Sequence, residues 1–159
     1  MNEELMANAT VKDIRHFIDN KPAVVSASTS IRETLRKIID DTRSRHAYIV
    51  DGNGKLIGSI RMNNVIQYLF PTFSLLENQE TFKIGSFMEY TSAQQAKDIM
   101  NPRPVYVYED TLLSDMVSIM IQERVNEMPV INKEHQVIGE VNVLKIIAYY
   151  LKNTEEKGK

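Results

Sequence analysis

Chemistry in this chain has few places to come from. The three histidines, His16, His46 and His135, lack the spacing of a metal-ligand set. There is no cysteine, which removes disulfides, cysteine-based zinc sites and thiol catalysis together. No serine stands in a nucleophile elbow, and no glycine run is followed by the Lys and Ser/Thr of a phosphate loop. Asp51-Gly52-Asn53-Gly54 opens like a calcium loop, but Leu56, Ile57 and Gly58 fill the later ligand positions. A hairpin turn explains it better. The expectation is a protein that is not an enzyme and requires no metal or cofactor. The chemistry left to it is binding.

The elements that would position a binding site repeat along the chain. A shift of 81 residues lays residues 24–70 on 105–151 without a gap, placing Val24 on Val105, Ile38 on Ile119, Ile57 on Ile138, Gly58 on Gly139 and Tyr68 on Tyr149. Each copy reads as strand, helix, strand, strand, helix. In the first copy, Ser30 and Glu33 make a capping box for a helix whose Ile31, Leu35, Ile38 and Ile39 share one face. The second carries Leu112, Met116, Ile119 and Met120 at the same spacing behind Thr111. Hairpins follow at residues 47–60 and 128–141. The closing helices place Met62, Val65, Ile66, Leu69 and Phe70, and then Val143, Ile146, Ile147, Tyr150 and Leu151, on a buried face.

A unit of about 50 residues with one small sheet buries too little apolar area alone, so two should pack sheet against sheet. The expected architecture is α/β (α+β), two β-α-β-β-α repeats forming a pseudo-two-fold pair with equivalent clefts. The expected segments are 1–70 (first repeat with its lead-in), 71–95 (a helical insert anchored by Leu75, Leu76, Phe82, Ile84, Phe87 and Met88), 96–152 (second repeat) and 153–159 (a polar tail).

Composition narrows the partners. The 159 residues are 43% hydrophobic and 25% charged, as in a globular protein, and the net charge of −2 lacks the basic excess of a nucleic-acid binder. The acidic start Met1-Asn2-Glu3-Glu4 is unlike a signal peptide, and no apolar run reaches the ~20 residues of a membrane span. A cytoplasmic location without membrane insertion is the expectation.

Ala96-Lys97-Asp98-Ile99-Met100-Asn101-Pro102, Glu127-Met128-Pro129-Val130-Ile131 and Val137-Ile138-Gly139-Glu140-Val141 resemble one complete CBS domain, the cystathionine β-synthase type. Val11-Lys12-Asp13-Ile14, Tyr48-Ile49-Val50-Asp51 and Leu56-Ile57-Gly58-Ser59-Ile60 are similar, with Tyr48 where the second copy has Pro129. The resemblance implies a regulatory pair that homodimerises, binds AMP, ADP, ATP or S-adenosylmethionine in its clefts, and controls a separate effector protein.

The same resemblance picks out candidate site residues. Nucleotide-binding relatives carry Gly, an apolar residue, any residue, Thr/Ser, two of any kind, then an Asp that accepts from the ribose hydroxyls. Here Arg61 and Asn64, and in the second copy Asn142 and Lys145, take the Thr/Ser and Asp positions. Asn64 retains an acceptor, whereas Lys145 has none and would meet phosphate instead of sugar. Arg45 and His46, with Arg43 upstream, stand where the resemblance implies a phosphate-facing cation. Their alternative role is a solvated helix end, where cations favour the dipole. Asn126 and Glu127 offer no cation, so a nucleotide is expected to prefer the first-repeat cleft. The altered motifs equally suit a ligand-free interaction module.

Overall fold

The computed structural model describes residues 7–71 and 92–155. Leu75, Leu76, Phe82, Ile84, Phe87 and Met88 of the expected insert lie outside the described residues. In chain order the elements are α1 (Val11–Ile14), β1 (Ala23–Ser26), α2 (Ile31–Asp40), β2 (Ala47–Val50), β3 (Leu56–Ile60), α3 (Met62–Leu69), α4 (Ala96–Ile99), β4 (Val107–Tyr108), α5 (Leu113–Glu123), β5 (Glu127–Ile131), β6 (Val137–Asn142) and α6 (Val143–Glu155). No helix among the described residues is long and apolar enough to cross a membrane.

Two three-stranded sheets carry this mixed α/β architecture. β1 runs parallel to β2, which pairs antiparallel with β3; β4, β5 and β6 repeat the arrangement. Both hairpins turn on side chains. Asp51 Oδ1 accepts from the N–H groups of Asn53 and Lys55 at 2.8 and 3.0 Å, with Gly54 at φ 78°. That carboxylate is therefore committed to the turn, and its protonation is disfavoured by the same backbone bonds. In the second hairpin Asn132 Oδ1 accepts from Gln136 N–H at 2.8 Å.

The chain divides into two compact units, Pro22–Pro104 and the combination of Met1–Lys21 with Val105–Lys159. Each contains one repeat and the short lead-in helix that precedes the other repeat. In the second-repeat unit, Val11 and Ile14 of α1 are buried in a core with Val107, Leu113, Met116, Met128 and Val130. In the first-repeat unit, Ala96 and Ile99 of α4 join Val25, Ile31, Ile38, Ile49 and Ile60. The docking bonds correspond one to one: Val11 and Lys12 donate to the carbonyls of Thr111 and Glu109, Ala96 and Lys97 to those of Thr29 and Ala27. Asp13 and Asp98 accept backbone N–H groups at the start of each lead-in, which holds both carboxyls below the ordinary range.

The gapless shift of 81 holds from β2 onward, where Ile49 faces Gly58 and Val130 faces Gly139. Ahead of that it is off by one. Ser26 and Tyr108 N–H groups donate to Thr29 and Thr111 Oγ1, and Ile31, Thr34 and Ile38 are buried as Leu113, Met116 and Met120 are. Ile38 therefore corresponds to Met120 and not to Ile119, which is only half-buried, and Leu112 is exposed. Ile57 and Ile138 occupy matching strand positions but differ in exposure, half-buried against 37% exposed. Ser30 caps α2 as expected, accepting from Glu33 N–H at 3.2 Å.

The expected buried faces of the closing helices are a further correction. On α3 only Val65 is buried, while Ile66, Leu69 and Phe70 are more than half exposed. On α6 the one buried residue is Lys145, with Val143, Ile147, Tyr150 and Leu151 exposed.

Candidate functional site

The segment after α1 and the strand-to-helix junction β6–α6 enclose a cavity of about 310 Å³ in the second-repeat unit. Its working groups are Arg15, His16, Asn20, Gly139, Glu140 and Lys145. Two of them are buried charges. Lys145 is 3% exposed and donates from Nζ to the carbonyls of Arg15 at 2.6 Å and Glu140 at 2.9 Å. Glu140 is buried too, and its Oε1 accepts from Asn20 Nδ2 at 2.6 Å. Burial pushes the Lys145 ammonium below the usual lysine range, opposed by attraction to Glu140 and Asp19 and reinforced by Arg15.

Arg15 holds the mouth of the cavity. Its Nε meets His16 Nε2 at 3.0 Å and Glu109 Oε1 at 3.1 Å, and its NH1 reaches the Ile138 carbonyl at 3.4 Å. A Cβ on Gly139 would stand 3.6 Å from that nitrogen, an ordinary contact. A larger hollow of about 720 Å³ lies beside Thr10, Tyr108 and Asn132. Its charged Lys12, Asp110, Lys133 and Glu134 are exposed, and the half-buried Glu109 is paired with Arg15, so none is a buried ion left to fix a ligand.

The corresponding position in the first-repeat unit is closed by backbone. Ser59 N–H donates to Asn101 O at 3.0 Å and Asn101 N–H to Ser59 O at 2.8 Å, so the chain after α4 is zipped onto β3. A Cβ on Gly58 would overlap Met100 Sδ and stand 3.2 Å from Asn101 O. Among the described residues no such bridge joins His16 to Glu140. Lys145 Nζ bridges that gap instead, bonded to the Arg15 and Glu140 carbonyls, and the cavity lies beside it.

The sequence-derived candidates are not gathered at one place. Lys145 lines the second-repeat cleft, whereas Asn142 does not; its Oδ1 accepts from Lys145 N–H at 3.1 Å at the start of α6. Lys145 was expected to meet phosphate; its buried ammonium is already bonded to two carbonyls. In the first-repeat unit Asn64 Oδ1 accepts from Arg61 N–H at 2.9 Å, so its acceptor serves the start of α3. Arg45 is exposed, and His46 is half-buried with its ring 6.1 Å from that of Tyr48. Arg43 forms a two-point pair with the Asp41 carboxylate at 2.8 and 3.0 Å. Sequence pattern missed Arg15 and Asn20 because they precede the first repeat, and nothing in their spacing ties them to β6.

Two three-stranded units with a cleft at a strand-to-helix junction define a paired small-sheet module. The CBS domain family model matches residues 11–71 and 96–152, and the chain belongs to that family. A CBS domain-containing protein from Thermotoga maritima superposes with a TM-score of 0.74 at 29% identity, over 91% of this chain and 96% of that one. Protein SDS23 of Candida albicans is 28% identical over 117 residues, covering 74% of this chain. The chain spans only 17% of that relative's length. CBSX2, solved in complex with AMP, superposes at 20% identity with a TM-score of 0.67, over 91% and 98% of the two chains.

Proposed function

We propose that this chain is a regulatory module, not a catalyst, that takes an adenine nucleotide or related adenosyl ligand and through it controls a separate protein. The observation that carries this reading is the second-repeat cavity with its buried Lys145–Glu140 charges, within the 300–1,000 Å³ of small-molecule pockets. The AMP held by a protein of the same fold supports the ligand class. Such a cavity favours the second-repeat cleft over the first, where Met100 and the Ser59–Asn101 bridge occupy the space. A thermal-shift panel of AMP, ADP, ATP and S-adenosylmethionine tests it. Ligand at a hundred times its Kd should add about 2.7 kcal/mol, a melting shift of roughly 5–11 °C for a chain this long. No shift with any of them at millimolar concentration would refute it.

A second reading has its own support. Lys145 and Asn64 spend their polar groups inside the fold, as in a module that has kept its packing without a ligand. Both readings include a homodimer. The exposed apolar groups Ile66, Leu69 and Phe70 on α3 and its end, and Leu144, Ile147 and Leu151 on α6, support a two-fold interface. Sedimentation across the micromolar range should give a dimer; a monomer throughout counts against it.

A further inference from the structure

We propose that residues 16–20, which follow α1, form a strap latched by side chains over the second-repeat cavity, and that a ligand enters by lifting it. This rests on that cavity being the ligand site. His16, Ile18, Asp19 and Asn20 line one side of the cavity, with β6 and Lys145 on the other. At about 310 Å³ the space is at the small end of ligand pockets, so a nucleotide needs the strap to yield.

What holds the strap differs from what holds its counterpart after α4. There Asn101, at the position equivalent to His16, is fixed to Ser59 by two backbone hydrogen bonds. Among the described residues, no backbone hydrogen bond ties residues 16–20 to β6 or α6. Side chains do it instead. Asn20 Nδ2 donates to Glu140 Oε1 at 2.6 Å. The Phe17 ring meets Tyr149 of α6 edge-on, centroids 5.5 Å apart, and Lys152 Nζ lies 5.4 Å from the Phe17 centroid. The start of the strap is anchored to α1, where Arg15 and Phe17 N–H groups donate to the Val11 and Ile14 carbonyls. The Arg15 carbonyl is fixed as well, accepting from Lys145 Nζ. The strap therefore hinges at this end and parts from β6 and α6 by losing one side-chain bond and two ring contacts. No backbone group of β6 is unpaired when it lifts, which makes this a low-cost local opening.

The chain has no cysteine, so Asp19→Cys, at an exposed strap position, takes a nitroxide label at one place only. Its spectrum should be ordered in the otherwise native chain. Phe17→Ala should raise the mobile fraction about threefold or more, and Lys152→Gln, at an exposed site, should raise it less. A label at the exposed Arg103→Cys, beside the backbone-paired Asn101, should respond to neither. Calorimetry on the unlabelled full chains then measures AMP. Phe17→Ala should bind it about three- to tenfold more tightly than the native chain, since a closed strap no longer competes with binding. Should Phe17→Ala fail to fold, Lys152→Gln gives the same two signs with smaller shifts. Folded variants whose strap label is no more mobile, or whose AMP affinity does not rise, would overturn the inference. Failure of the nucleotide-binding reading shows separately, as a native chain that binds no AMP. The labels then decide by themselves whether the strap is latched.

Discussion

Lys145 joins two residues that are far apart in sequence, and its removal should be felt as stability. Lys145→Met leaves the Arg15 and Glu140 carbonyls without their donor in a buried place, at a cost of about 1–3 kcal/mol. The pH dependence has a definite sign. Burial holds the folded-state pKa below the ordinary lysine value of about 10.4, so between the two values the unfolded chain binds the extra proton. Native stability attributable to this group therefore rises with pH across that window and levels off above it. Neutral or charged, the amine can still donate to both carbonyls. Urea unfolding at pH 7 and pH 10 should show the gap between the native chain and Lys145→Met widening at the higher pH. A gap that narrows would mean that the ammonium is stabilised by its site.

The two strand-to-helix junctions differ in how closely the lead-in approaches, and alanine at the paired glycines reads the difference. Gly58→Ala forces a methyl onto Met100 and against the Asn101 backbone, which should destabilise by about 1–3 kcal/mol. Gly139→Ala meets only Arg15 at ordinary distance and should change stability by less than about 0.5 kcal/mol. Denaturant midpoints compare the two, and equal losses would sink the distinction. The sequence carried the hairpins, the Ser30 cap and the repeat, because turn residues and alternating apolar strands are local signals. It did not carry the one-residue slip. Six residues join α2 to β2, but α5 ends at Arg124 in the left-handed region and reaches β5 in three, so the copies differ in a connection that hydrophobic pattern does not mark. Nor did apolar spacing on α3 and α6 say which side faces a core, since an amphipathic helix with a second apolar face has the same periodicity.

Across the whole molecule, sequence neighbours are not always packing partners. Ile14 lies a few residues before the first repeat but is fully buried among second-repeat residues. Ile14→Ala should cost about 2–5 kcal/mol. Hydrogen exchange should show β4, β5 and β6 loosening ahead of β1, β2 and β3, and the reverse order would contradict the assignment of the lead-ins. The candidate site was half legible for the same reason: Lys145 belongs to a motif, whereas Arg15 and Asn20 reach it only through this long-range docking. That docking also sets an order of events during synthesis. Residues 22–104 form a unit from one continuous stretch and have every part in hand once Pro104 leaves the ribosome. The other unit must hold α1, with Val11 and Ile14, in reserve until β4 to α6 are made, closing a loop over everything translated between. The nascent chain should therefore acquire the 22–104 unit first and complete the other only after α6 has emerged.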